Sequence, residues 1–438
     1  MPIFMPNFFR VSYFLAKAMR RPYWNKDKLK LYQNRRLRSV IDNAYRNVPF
    51  YHSKFREAGI EPADIKTVDD LSKLPVFRKA EIRLEDPRRL VSSQHDISHL
   101  KAETTSGSTG HPFTTYLSRP ENDWRKAIYM RANISCGQRL RDRWVVITSP
   151  HHFSDTTGIQ RRLGIYAQTC VSVFEGVDEQ MRHVGEMDPA ILDGYSGSLL
   201  LIARKIEEKG LRTIRPRIVF GTADLLDPEE QRYMEKVFGA PFYDQFGCAE
   251  IDRSAWQCPE KVGYHMDIDS VVTQFVDEEG NDVAPGKRGE VVYTSLFNYA
   301  MPFIRYGVGD LGIPSDEECP CGRNLPLMSA VEGRRDSILI LPDGRLLSPM
   351  AFRIAVSKFF AEIMHYRLVQ KKVDLLELYV EKKNGVNDEE ALAANLVAHV
   401  SSVLDLEKAC VRLVVHFVDS VPLSGTGKLA AVVSELKP

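Results

Sequence analysis

The chain has 438 residues, more than one compact domain usually holds, with 44% apolar and 27% charged residues; that balance is ordinary for a globular enzyme and excludes a disordered or collagen-like chain. Fifty-nine basic against 58 acidic side chains leave a formal net charge of +1, so no global field selects nucleic acid or an anionic membrane as partner. No segment reaches the ~20 apolar residues of a membrane span and the start lacks a cleavable apolar leader. With seven cysteines in no disulfide-framework pattern, the expectation is a cytoplasmic protein with free thiols or a metal site.

Taken in chain order, a basic helical opening runs to about Asn47, with ten basic residues between Arg10 and Arg38 interleaved with aromatics. It reads either as a membrane-surface arm or as a solvated helical face, since Tyr32, Leu37, Val40, Ile41 and Ala44 form an apolar stripe at helical spacing. Pro49 breaks this segment and a short amphipathic stretch follows. From Asp142 onward β-rich runs recur at Trp144–Thr148, Cys170–Phe174, Arg217–Phe220 and Glu290–Ser295, with helical stretches at Leu199–Lys209 and Pro228–Phe238; the alternation predicts α/β layers. After Gly333 the character changes. Ser337–Leu341, the turn Pro342-Asp343-Gly344 and Arg345–Leu347 read as a hairpin opening a small domain. A helix from Pro349, a strand Leu375–Val380, a helix Glu389–Leu404 and a strand Val411–Val418 complete it.

The segment Thr104 to Pro112, TTSGSTGHP, sets five hydroxyl residues, Thr104, Thr105, Ser106, Ser108 and Thr109, around Gly107 and Gly110. Glycine permits the positive φ that turns successive N–H groups inward, and hydroxyls add donors, so such a loop can cradle phosphate. Gly110 is followed by His111 and not by lysine, so the segment is not the P-loop of γ-phosphate-transferring enzymes. By composition alone a flexible Ser/Gly linker is the competing reading.

Four further elements in fixed order settle on one resemblance. YDQFGCAE (Tyr243–Glu250), PFIRYGVGDLG (Pro302–Gly312), GRRDSI (Gly333–Ile338) and LSGTGKLAAV (Leu423–Val432), together with the glycine-rich segment and the opening Asn47–Lys79, resemble the acyl-adenylate-forming superfamily. Within it the likeness is to the phenylacetate-CoA ligase family and its capsule-biosynthesis and natural-product relatives. The resemblance implies an α/β fold. A large N-terminal adenylation domain of layered sheets and helices, 1–335, would carry ATP and acyl substrate, and a small mobile α+β C-terminal domain, 336–438, would pivot near Asp336.

It further implies that Thr105, Ser106, Gly107, Ser108, Thr109 and Gly110 wrap the ATP phosphates, with Phe246 and Gly247 beside the nucleotide. Gly221 and Thr222 would neighbour the adenine, and Asp310 would accept from the ribose hydroxyls with Arg334 nearby. Glu250 would hold Mg²⁺, a hard ion that prefers oxygen and shares its shell with phosphates. Lys428 would be the catalytic lysine, since an ammonium stabilises charge growing on the phosphoryl oxygens as a carboxylate attacks the α-phosphorus. His151, His152, Phe153 and Tyr195 resemble acyl-pocket positions.

Cys258 and His265 precede a β-rich stretch, and Cys319-Pro320-Cys321 follows it. Four such ligands suit tetrahedral zinc, and free buried thiols are the alternative. Cys136, Cys170, Cys248 and Cys410 have no partner pattern and read as packing residues. The implied reaction joins a small carboxylic acid to an acyl acceptor through acyl-AMP. Coenzyme A is the expected acceptor, an amine the alternative, and a noncatalytic scaffold of the same fold the reading from another class. Nothing in the sequence sets an oligomeric state.

Overall fold

The computed structural model describes residues 6–436 apart from 106–112, 154, 155, 157, 212, 213, 423, 425, 426 and 429, and apart from the side chains of Thr105, His151, Ile159 and Asp336. The chain groups into two compact units, Met1–Arg139 with Asp155–Leu163 and Tyr243–Val331, and Leu140–Ser154 with Gly164–Phe242 and Glu332–Pro438. The residues from 332 onward thus group with the parallel strands that precede residue 242.

The first unit opens with helices Phe8–Arg20, Lys26–Asn47 and Pro49–Glu57. Asn7 and Asn25 cap the first two, each side chain accepting from a backbone N–H three residues on, which satisfies a donor the helix start leaves unpaired. The stripe Leu37, Val40, Ile41 and Ala44 is fully buried. Leu37, Ile41 and Ala44 share one core with Phe50, Tyr51, Phe55 and Phe77 and with strands Val271–Val276, Gly289–Ser295 and Tyr306–Ser315. These three strands are antiparallel neighbours, and Leu327–Arg334, Tyr264–Met266, Asp252–Gln257 and Phe242–Cys248 follow in sheet order. A two-residue strand, Phe77–Arg78, pairs in parallel with the start of Tyr306–Ser315, Phe77 opposite Tyr306. The rings of Phe50 and Tyr51 pack edge-on against Phe77, 5.7 and 5.6 Å between centroids, so aromatic packing fixes where the chain goes next.

In the second unit four strands lie parallel in the order Gln168–Ser172, Trp144–Thr148, Ile191–Tyr195, Ile218–Thr222. The two inner ones are buried at every position, as expected when helices cover both faces of a parallel sheet. Helices Val177–Met187, Ser196–Glu208 and Pro228–Phe238 cover it. A separate four-stranded sheet, Arg412–Phe417, Leu375–Lys382, Ile363–Lys372 and Val432–Ser434, closes with helices Pro349–Ser357 and Glu389–Val403 around a core whose buried members all come from 339–432.

The expected strand Trp144–Thr148 and helix Pro228–Phe238 occur with those bounds. The expected Cys170–Phe174 runs two residues earlier, Gln168–Ser172, because pairing with Trp144–Thr148 sets the register. Cys410, expected to pack, is exposed. No helix among the described residues is long and apolar enough to cross a membrane.

Candidate active site

Glu250 lies in the tight turn between strands Phe242–Cys248 and Asp252–Gln257. Ile251 donates its N–H to the Cys248 carbonyl at 3.1 Å to close the turn. The Arg125 guanidinium, on helix Arg119–Ser135, fastens it from outside by donating to the carbonyls of Ala249, at 3.2 Å, and Glu250. Gly247 forms a bulge here: a Cβ would stand 2.1 Å from the Asp252 carbonyl oxygen, so only glycine fits. The turn thereby drives the Glu250 side chain inward, where it is 1% exposed.

A buried carboxylate needs compensation. The Lys79 ammonium supplies it at 2.7 Å from Oε1, and the Tyr306 hydroxyl donates to the same oxygen at 3.0 Å. Burial raises the pKa of Glu250, but the Lys79 charge and hydrogen bond and the Tyr306 donor outweigh it, holding the group below the ordinary carboxylate range. Tyr306 moves the other way, pushed well up by burial and then by the Glu250 charge. Lys79 reaches this point because it follows the short strand paired with Tyr306 and Gly307. Neither Lys79 nor Tyr306 was singled out in the sequence. The signal was the pairing of two segments more than two hundred residues apart, which no local pattern reveals.

Asp310 sits four residues beyond Tyr306 on the same strand, half-buried. Burial, then the charges of Glu250 and Asp310, push the Cys248 thiol well up, so the two carboxylates face one region of this unit. Phe246 is half-buried against the same core. Strands Lys101–Thr105 and Phe113–Leu117, which flank the glycine-rich segment, pair antiparallel with Thr105 opposite Phe113. Ser106, Gly107, Ser108, Thr109 and Gly110 lie outside the described residues.

The other predicted positions belong to the second unit. Gly221 and Thr222 end the strand Ile218–Thr222. A Cβ on Gly221 would come within 2.2 Å of the Phe242 ring and 2.5 Å of Ser196 Oγ, so close packing requires the glycine. Tyr195 is buried at the end of its strand; burial raises its pKa, and a hydrogen bond with Thr148 partly offsets this. His152 and Phe153 are exposed, and the side chain of His151 is outside the described set. Arg334 is half-buried at the end of strand Leu327–Arg334, and Asp336 falls in the turn Arg335–Ser337. Lys428 is half-buried in a loop tied by Ser424, whose N–H and hydroxyl both donate to the Lys428 carbonyl at 3.0 Å. At Gly427, with φ +78°, a Cβ would strike Val173 at 2.4 Å.

Cys258, His265, Cys319 and Cys321 come together, their ligand atoms all within 4.8 Å of one another. Cys258 Sγ lies 3.5 Å from Cys319 Sγ, and Cys321 Sγ 3.3 Å from His265 Nε2. A tetrahedron with metal–sulfur bonds of about 2.3 Å has edges of about 3.8 Å, so the set has the right chemistry and nearly the right spacing. Burial, then the Arg323 charge, lowers the pKa of His265 to about 4, keeping the imidazole in the neutral form that binds metals. The adjoining loop pins the N-terminal turn: Asn324 donates to the carbonyls of Pro22 and Trp24 at 2.7 and 3.0 Å.

No protein-family model matches the chain. It is 28% identical over 372 residues to a phenylacetate-coenzyme A ligase of Pseudomonas putida, covering 81% of this chain and 82% of the relative. It is 25% identical over 369 residues to the phenylacetate-coenzyme A ligase of Thermus thermophilus, with the same coverages. Among solved structures, a 2-hydroxyisobutyryl-CoA ligase in the postadenylation state, in complex with 2-HIB-AMP, superposes with a TM-score of 0.80 at 23% identity, covering 95% of this chain and 91% of that one. Together with the ordered elements around Glu250, Asp310 and Lys428, these similarities support a likeness to the phenylacetate-CoA ligases among adenylate-forming enzymes.

Proposed function

We propose that the protein is an AMP-forming acyl-CoA ligase whose acid is an aryl or arylacetic acid. In the first step a carboxylate oxygen attacks the α-phosphorus of ATP and pyrophosphate leaves, giving acyl-AMP. In the second the coenzyme A thiolate attacks the acyl carbon and AMP departs. The observation that carries this reading is the Lys79–Glu250–Tyr306 cluster, a buried carboxylate kept ionised in the element where the family holds its metal. The relatives named phenylacetate-coenzyme A ligase support the acid class.

Glu250 fits Mg²⁺, which when bound neutralises phosphate charge. An ionised oxygen donor is the ligand this ion takes, and the Lys79 ammonium already meets it as a cation. Thr105 to Gly110 cradle the phosphates, Phe246, Gly247, Gly221 and Thr222 border the nucleotide, and Asp310 with Arg334 holds the ribose. Lys428 supplies the ammonium that meets the growing phosphoryl charge, and Asp336 is the pivot between 1–335 and 336–438. Tyr195, His151, His152 and Phe153 contribute to the acyl pocket. Seven cysteines, none in a disulfide among the described residues, favour a reducing compartment, the cytoplasm.

Pyrophosphate release across a panel of carboxylic acids tests the reading. Release that depends on the acid, and that falls by orders of magnitude in Lys428→Ala while ATP still binds, is expected; no release with any acid contradicts it.

The Cys258–His265–Cys319–Cys321 set holds a structural zinc ion in this proposal. All four positions are protein ligands, so the site is closed and lies outside the reaction. Purified protein should contain about one zinc per chain. Cys319→Ser should lose the metal and melt lower; a metal-free native protein that melts like Cys319→Ser would count against it.

A further inference from the structure

The helix Phe8–Arg20 is fastened to the molecule by one side only. Arg10 pairs with Asp123 at 2.6 Å, and the Asn7 N–H donates to the same carboxylate at 3.1 Å. Phe14 packs edge-on against Trp124, 5.3 Å between centroids, Ala18 is fully buried, and Arg131 donates to the Ala18 carbonyl at 3.3 Å. The inner face is therefore complete, and water is the expected neighbour of the outer one, which should be polar.

It is not. Phe8 is 57% exposed, Phe9 83% and Tyr13 54%. Of the six exposed aromatic side chains among the described residues, four fall within the first 23 positions. Phe9, Tyr13 and Lys17 follow at four-residue spacing and Arg20 three residues later, so aromatics and cations share one side. The helix has no acidic residue. Lys17, Arg20, Lys28 and Arg35 form no ion pair among the described residues. Ten basic residues against one acidic give the first 41 positions a net charge of +9 in a chain whose total is +1.

We propose that this outer face docks the enzyme on an anionic lipid surface. Exposed rings on a helix fastened by its inner face suit the headgroup boundary, where an apolar body enters the acyl region and a phenol stays at the interface. Cations beside them meet anionic headgroups, so two signals act together, as reversible membrane attachment requires. Charge selects the anionic surface, and the rings favour lipid over nucleic acid, which would be met mainly by cations at phosphates. The local asymmetry is hidden in the whole-chain charge because the remaining residues carry a compensating acidic excess.

Sedimentation of the full-length protein with phosphatidylcholine vesicles, with and without phosphatidylserine, tests the proposal. Binding should require phosphatidylserine and weaken as salt rises. The pairs Phe8→Ser with Phe9→Ser, and Lys17→Glu with Arg20→Glu, should each lower binding by about tenfold or more. Both leave the buried face intact and should keep the native melting temperature. Leu84→Ser, which removes an 83% exposed apolar side chain elsewhere, should bind as the native protein does. Equal binding to both vesicle types, unchanged binding in the Phe8/Phe9 variant, or binding to a duplex oligonucleotide with none to vesicles would overturn the proposal.

Discussion

At the level of single residues, the account turns on Glu250 and the company it keeps. Lys79 lowers the carboxyl pKa against burial, which acts to raise it. Removing the ammonium takes away the largest influence opposing burial and leaves the Tyr306 donor, so in Lys79→Met the carboxylate should be protonated at higher pH than in the native enzyme. The acid limb of the adenylation pH–rate profile should therefore move upward, with activity loss larger below neutral pH than above it. A uniform loss at all pH values would show that Lys79 acts some other way. Glu250 was legible in the sequence as a candidate because Tyr243–Glu250 is a compact motif, and Asp310, within Pro302–Gly312, was likewise a candidate. Lys79 was not, since its importance comes from the Phe77–Tyr306 pairing. Cys258, His265, Cys319 and Cys321 were legible through ligand chemistry, although only the fold shows that a 61-residue separation closes to 3.5 Å.

Among the elements, helix Pro228–Phe238 illustrates what local chemistry announces. Asp227 accepts from the N–H groups of Glu229 and Glu230 at 2.9 Å, Glu230 accepts from the Asp227 N–H at 3.1 Å, Pro228 takes the first turn, and Gly239 ends the helix at φ +63°. Each feature is a start or stop signal, which is why the helix was found with its observed bounds. Glu230 also pairs with Arg353 from helix Pro349–Ser357, both side chains buried. Asp227→Ala, which removes a cap, should cost about 1 kcal/mol. Glu230→Ala, which also strands a buried guanidinium, should cost about 3–5 kcal/mol. Equal losses in denaturant unfolding would remove the ion pair from the account. Strands Ile363–Lys372 and Val432–Ser434 carry no such local signal. The first has almost no polar alternation, its first eight residues being buried except Arg367, and the second is three residues long and owes its place to pairing with the first.

At the level of the whole molecule, stability should respond to acid through His365, buried on strand Ile363–Lys372. Burial, then the charges of Arg204, Arg353 and Arg367, lowers its pKa to about 3. A depressed folded-state value stabilises above the unfolded pKa and loses that contribution as pH falls from about 6.5 toward 3, at up to about 1.4 kcal/mol per pH unit. Asp227 works in the opposite sense: burial, then the Glu230 charge, raises its pKa to about 6, so protonation below that value relieves a cost. His365→Leu should therefore flatten the acid side of the stability profile, whereas curves parallel to the native one would exclude His365 as the source.

The central claim is attack of a carboxylate on the α-phosphorus of ATP, and the oxygen that makes the bond can be followed. An acid labelled with ¹⁸O in its carboxylate, turned over with ATP and coenzyme A, should place one labelled oxygen in AMP, because the acyl C–O bond breaks when the thiolate attacks. Label appearing in inorganic phosphate, with ADP as the nucleotide product, would contradict the account.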